Sequence, residues 1–223
     1  MTNTIKINYL IFCLLFILFQ SSACSSGEND VSSTDQTDFL RDIDPVSDQG
    51  YVNIVIEIPA GDNEKWEVDK ITGNLLWEEV GDSLRIINYL PYPANYGMVP
   101  RTLLPKEKGG DDDPIDIFLL GPVRERGTVA EGIIIGALGM LDRGEQDDKL
   151  IAVDPDSWFG SIRTISELDE KFPGVLEILS IWMENYKGKG IVELTGILNS
   201  YEANELFEQA VESYHVTETD DNF

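Results

Sequence analysis

The stretch Gly132-Ile133-Ile134-Ile135-Gly136-Ala137-Leu138-Gly139-Met140 narrows the fold more than any other part of the chain. It lies within a longer apolar run, Thr128 to Leu141, and its glycines predict one long strand that bends sharply. A bent strand of this length is what a small closed barrel requires. The neighbouring elements are short. Val52 to Ile58 is mostly β-branched and ends at Pro59, so it is a strand. Lys65 to Val68 and Leu75 to Glu79 form a hairpin around Thr72-Gly73-Asn74. Ile115 to Leu120, Leu150 to Val153 and Ile191 to Leu198 supply further strands. Phe172, Val175, Leu176, Leu179, Met183 and Tyr186 recur at helical spacing, which predicts a helix over 173–187 stopped by Gly188. A last helix is expected from Tyr201 to Tyr214. Many short strands with two late helices give an α+β, mainly β domain: a barrel with helices packed outside.

The chain has 16 basic and 41 acidic residues, a net charge of −25. Such a surface repels nucleic acid and attracts cations. The amino terminus differs in kind. Lys6 flanks an apolar run from Tyr9 to Phe19, too short for a membrane span, followed by Gln20-Ser21-Ser22-Ala23-Cys24. This pattern fits an export signal over residues 1–24. Cys24 sits where a bacterial lipoprotein carries its lipid, although Ser21 stands where such signals usually have Leu. Lipid-anchored residence in the cell envelope is therefore expected, with a free thiol at Cys24 as the alternative. Loss of Cys13 with the signal would leave one cysteine, enough for neither a disulfide nor a cysteine metal site. Residues 25–50 are polar and read as a flexible tether, 51–215 as the folded domain, and 216–223 as a frayed acidic tail.

The chemistry concentrates in Gly109-Gly110-Asp111-Asp112-Asp113-Pro114-Ile115-Asp116, which runs straight into an apolar strand. Two carboxylates about 4 Å apart repel by roughly 4 kcal/mol at an effective dielectric near 20. Pro114 and the strand limit how far these four can spread, and a divalent cation would turn repulsion into ligation. An acidic surface turn is the other reading. A second acidic loop, Asp142 to Lys149, also lies between apolar strands; Asp142 and Asp147 could join a cation site, and Lys149 could meet an anion. In Pro91-Tyr92-Pro93-Ala94-Asn95-Tyr96-Gly97 the backbone is stiff, and Tyr96 is free either to donate to an anion or to pack in the core. Tyr186 belongs to an apolar helix stripe, and Lys187 suits the helix carboxyl end. His215, near the tail, reads as solvated.

In this order, Ile56-Glu57-Ile58-Pro59, Lys65-Trp66-Glu67, Tyr92 to Gly97, Asp111 to Asp116, Asp142 to Lys149 and Tyr186-Lys187 resemble the family I inorganic pyrophosphatases over about residues 51–210. The resemblance implies a five-stranded barrel of oligonucleotide-binding type with flanking helices. It further implies magnesium-dependent hydrolysis of pyrophosphate, and a homo-oligomer. By the same resemblance Asp111, Asp116 and Asp147 hold two activating metals, Asp142 and Glu57 reach metals that arrive with substrate, and Asp113 is the general base. Lys65, Tyr96, Lys149, Tyr186 and Lys187 grip phosphate, and Glu67 is a further site carboxylate. The family's phosphate-binding arginine matches Arg85, with one residue fewer between it and Tyr96. Asp112 stands where many bacterial members have Gly, the loop after Lys187 is short, and the export signal is unusual for a family best known in the cytoplasm. The rival reading keeps the fold without the activity, as a cation- or phosphate-binding lipoprotein.

Overall fold

Residues 37–220 are described by the structure, a computed structural model. The expected signal with Cys24, the tether up to residue 36 and the last three residues lie outside them. Among the described residues no helix is long and apolar enough to cross a membrane. Strand β1 spans Val52–Ile58; β2 (Trp66–Val68) and β3 (Leu75–Trp77) make one hairpin, β4 (Glu79–Val80) and β5 (Ser83–Leu84) another. Next come β6 (Asn95–Met98), β7 (Asp116–Leu120), β8 (Val129–Asp142), β9 (Glu145–Gln146) and β10 (Lys149–Val153). Helices α1 (Ile165–Lys171) and α2 (Val175–Asn185) precede β11 (Val192–Asn199), and α3 covers Ser200–Asp220.

The glycine-spaced run is one unbroken strand, and it closes the barrel. The near end of β8 pairs with β1, its middle with β10 and its far half with β11. Because β1 also pairs with β6, β6 with β7 and β7 with β10, the five strands β1–β6–β7–β10–β8 return to their start. The bend comes from register shifts: Ile135 is passed over in the pairing with β10, and Thr195 of β11 is extra opposite Met140 and Gly139. Gly136 is needed here, since a Cβ would lie 2.7 Å from the carbonyl oxygen of Leu198 and closer still to Ile165. Side chains alternate along β7 as the pleat demands. Phe118 and Leu120 enter the apolar cluster shared with α2, while Ile117 and Leu119 enter the one shared with α3.

Strands β7 and β10 run parallel, with Asp116 level with Lys149. The two acidic loops lead into these strands, so parallel pairing brings both to the same rim. Gly97 of β6 lets that wall close, because a Cβ there would lie 1.8 Å from the carbonyl oxygen of Val55 in β1.

Three expectations need correction. The tether does not extend to residue 50: Leu40 is buried with Val55, Val68 and Met98, joined by Phe39 and Ile43, and Phe39 N donates to Gly73 O at 2.9 Å. A few apolar side chains anchor a polar stretch. The helix expected over 173–187 begins later, after Gly174 at φ 89°, and α1 precedes it. Thr164 caps α1 by accepting from Glu167 N, while the Glu167 side chain accepts from Arg163 N. The expected tail is partly helical, since α3 continues to Asp220.

Candidate active site

Lys149 opens β10, is 2% exposed, and donates to Asp116 Oδ2 at 2.6 Å and to Asp147 Oδ1. Burial opposes its charge, yet the two carboxylates hold its pKa above the usual range. Burial likewise works against ionised Asp116, but Lys149 and Lys65, with hydrogen bonds from Lys149 and Tyr96, keep its pKa low. Asp147 has no comparable set of donors. Burial, reinforced by Asp116, raises its pKa despite Lys149.

The other charges at this rim are also matched. Lys187 Nζ donates to Asp142 Oδ2 at 2.5 Å. Lys65 Nζ lies 2.6 Å from Glu67, and Arg85 donates through Nη1 to both oxygens of Glu78 at 2.6 and 2.8 Å. Burial works against the Arg85 charge and Glu78 outweighs it, raising its pKa, and the Arg85 carbonyl accepts from Lys65 N at 3.1 Å. The β4–β5 hairpin leads into Arg85, whose backbone lies beside Lys65. Glu57 is buried in β1 and accepts from Val68 N at 2.7 Å; burial pushes its pKa up to about 8, although Lys65 pulls the other way. Glu57, Lys65, Glu67, Asp113 and Asp116 line one cleft of about 970 Å³.

Of the two roles its sequence left open, Tyr96 shows core packing with its hydroxyl satisfied locally. Its ring packs edge-on against Phe118, and its hydroxyl donates to Asp116 Oδ2 at 2.7 Å. From Tyr96 the rings continue through Tyr92 and Trp182 to Tyr186, with centroids 5.1, 4.4 and 4.5 Å apart. This column ties α2 to β6, and Trp182 Nε1 locks it by donating to Leu90 O at 2.9 Å. The sequence reading missed Trp182, which falls on the same helical face as Leu179 and Tyr186. It also missed Asp148, buried just before β10, which accepts from Met140 N and Gln146 Nε2 and so fixes the second acidic loop.

Among the described residues no group of three carboxylates stands ready to hold a metal ion, and lysines pair with Asp116, Asp147 and Asp142. The donor set nevertheless fits a hard cation: it is all oxygen, and Asp142 Oδ1 is buried with no hydrogen-bond partner. The first acidic loop is wound tightly. Asp112 has φ 63°, a left-handed conformation that suits Gly and that Asp tolerates, and Asp113 N donates to Asp111 Oδ1 at 3.1 Å. Burial, with Asp113 and Asp147 adding to it, pushes the Asp111 carboxyl up to about 6. A carboxyl whose pKa is raised on folding binds its proton more tightly when folded, so its ionisation costs stability as pH rises from about 4 through 6. In chelator, Asp111→Asn is expected to unfold a few degrees above the unaltered protein at pH 8, with the gap closing by pH 4. Thermal melts across that range check this, and equal melts at every pH would contradict it.

Comparison with known proteins identifies the family. Residues 54–215 match the family model for inorganic pyrophosphatase. The inorganic pyrophosphatase of Helicobacter pylori is 31% identical over 179 residues, covering 78% of this chain and 98% of its own. That of Xylella fastidiosa is 33% identical, covering 74% and 90%. The Helicobacter pylori enzyme's solved structure aligns with a TM-score of 0.65 over 78% of this chain and 99% of its own, at 31% identity. The type I enzyme of Plasmodium falciparum aligns at 0.73 over 80% and 63%, at 25% identity. The chain belongs to the inorganic pyrophosphatase family.

Proposed function

We propose that magnesium is the cation with which this chain hydrolyses pyrophosphate to two phosphates, and that the rim residues share the work as follows. The observation that carries the reading is the convergence of two acidic loops and four cationic side chains on one rim of the barrel. An acidic protein repels a polyanion everywhere except at such a place.

Asp111, Asp116 and Asp147, with Asp142 and Glu57, would hold magnesium. Bound there it would lower the pKa of a water molecule and screen the charge on pyrophosphate. Asp113, half-exposed beside the cleft, accepts the proton of the attacking water at a carboxylate oxygen. As the water oxygen joins one phosphorus, the bridging P–O bond breaks and its electrons leave with the second phosphate. Lys65, Lys149, Lys187 and Arg85 face that growing negative charge with fully protonated groups, and Tyr96 and Tyr186 add hydroxyl donors. Their partners Asp116, Glu67 and Asp142 hold them in place beforehand.

Asp116→Asn should weaken magnesium binding and turnover together, because Asp116 is shared among Lys149, Tyr96 and the cation site. Asp113→Asn should leave magnesium affinity nearer normal while slowing turnover by about 10² to 10⁴-fold, the range of a general base. Calorimetric titration beside steady-state kinetics separates the two. Full turnover in Asp113→Asn would remove its role, and a cation- or phosphate-binding protein without activity would show no turnover at all.

Export and lipidation at Cys24 are part of the proposal, supported by the short apolar run and the small residues that precede Cys24. Fractionation should find the unaltered protein in membranes and Cys24→Ser released from them. Recovery of the unaltered protein in the cytoplasm with Met1 to Ala23 intact would contradict both.

A further inference from the structure

Lys70 is a cation beside the first acidic loop that the roles above leave unused. It lies in the loop joining β2 to β3, the hairpin that also carries Glu67, and its side chain is half-exposed. Its Nζ pairs with Asp113 Oδ1 and donates to the carbonyl oxygen of Asp112 at 3.0 Å. The hold is two-pronged: one contact fixes the carboxylate, the other the backbone that carries it. Lys70 is itself held from behind, because Arg41 Nη2 donates to Lys70 O at 2.6 Å and Arg41 pairs with Asp38. The start of the folded chain, the hairpin and the acidic loop are thus tied in series.

We propose that Lys70 is a positioning residue: it holds the acidic loop against the hairpin and so sets where the Asp113 carboxylate points. This rests on the reading of Asp113 as the group that takes the proton. The physical case is geometric. Asp113 lies on a loop whose turn runs through a left-handed aspartate, outside the barrel wall that fixes Asp116. A general base works only within hydrogen-bond reach of its proton, and small misplacements are costly in rate. A half-exposed ion pair contributes little to folding stability, so the contact can be cut without unfolding the protein.

The test uses Lys70→Met and Lys70→Arg in the whole mature protein, with magnesium pyrophosphate as substrate. Lys70→Met is expected to lower kcat about tenfold with KM within about twofold, an orientation effect and not a binding one. Lys70→Arg should recover most of the loss, and melting temperatures should agree within about a degree. In an Asp113→Asn background the same change should cost less than about twofold, since the group it positions is already gone. Amide hydrogen exchange over residues 109–113, which needs no activity, should be faster in Lys70→Met than in the unaltered protein. A kcat within about twofold of normal, or a tenfold loss that persists beside Asp113→Asn, would overturn the proposal. An unaltered protein inactive on magnesium pyrophosphate would refute the functional reading instead; exchange would then still decide whether Lys70 holds the loop, and unchanged exchange would show that it does not.

Discussion

The Lys149 ammonium sits between the carboxylates of Asp116 and Asp147 in a wall of the barrel that water scarcely reaches. Removing a charge from water costs several kcal/mol, and breaking such a pair by deleting one member typically costs about 3 to 5. Apolar residues in the same space would be at least as stable. The arrangement is therefore poor evidence of selection for stability and good evidence of a task that needs charge. Without Lys149, Asp116 and Asp147 would raise each other's pKa and favour protonation. With it, Asp116 stays ionised at the partly exposed edge of the cleft.

The fold makes that pairing possible through one topological choice. Parallel pairing of β7 and β10 places the residue that ends each acidic loop beside its counterpart. The long strand β8 encloses the pair by reaching from β1 to β11, and the aromatic column from Phe118 to Tyr186 fixes the α2 end of the site to the same wall. Rigid strands thus carry Asp116, Lys149 and Tyr96, whereas loops carry Asp111, Asp113 and Asp147. The strands thus set the frame of the rim, and the loops bring the remaining carboxylates to it.

Much of this was legible in the sequence because the signals are local. The apolar run with its glycines marks β8, and four aspartates entering a strand mark the acidic rim. Non-local contacts were not legible. Lys70 is separated by more than forty residues from the carbonyl it holds, and nothing near it in the chain distinguishes it from a solvated lysine. The stretch before Val52 reads as a tether because its average composition is polar, while Phe39, Leu40 and Ile43 alone are enough to seat it. Helix α1 was legible in principle, since Thr164 and Glu167 have the spacing of a capping box, but its apolar content is slight. The pairing of Asp116 and Asp147 with Lys149 could not be read from either loop, because it depends on which strands lie side by side.

Diffraction from crystals soaked in manganese, with its anomalous signal used to locate the ions, tests the central claim most directly. The account predicts an ion bound by Asp116, with the Lys149 ammonium turned away from that carboxylate and Asp142 Oδ1 no longer without a partner. Manganese absent from this rim at concentrations that sustain hydrolysis, with Lys149 still joining Asp116 to Asp147, would contradict it.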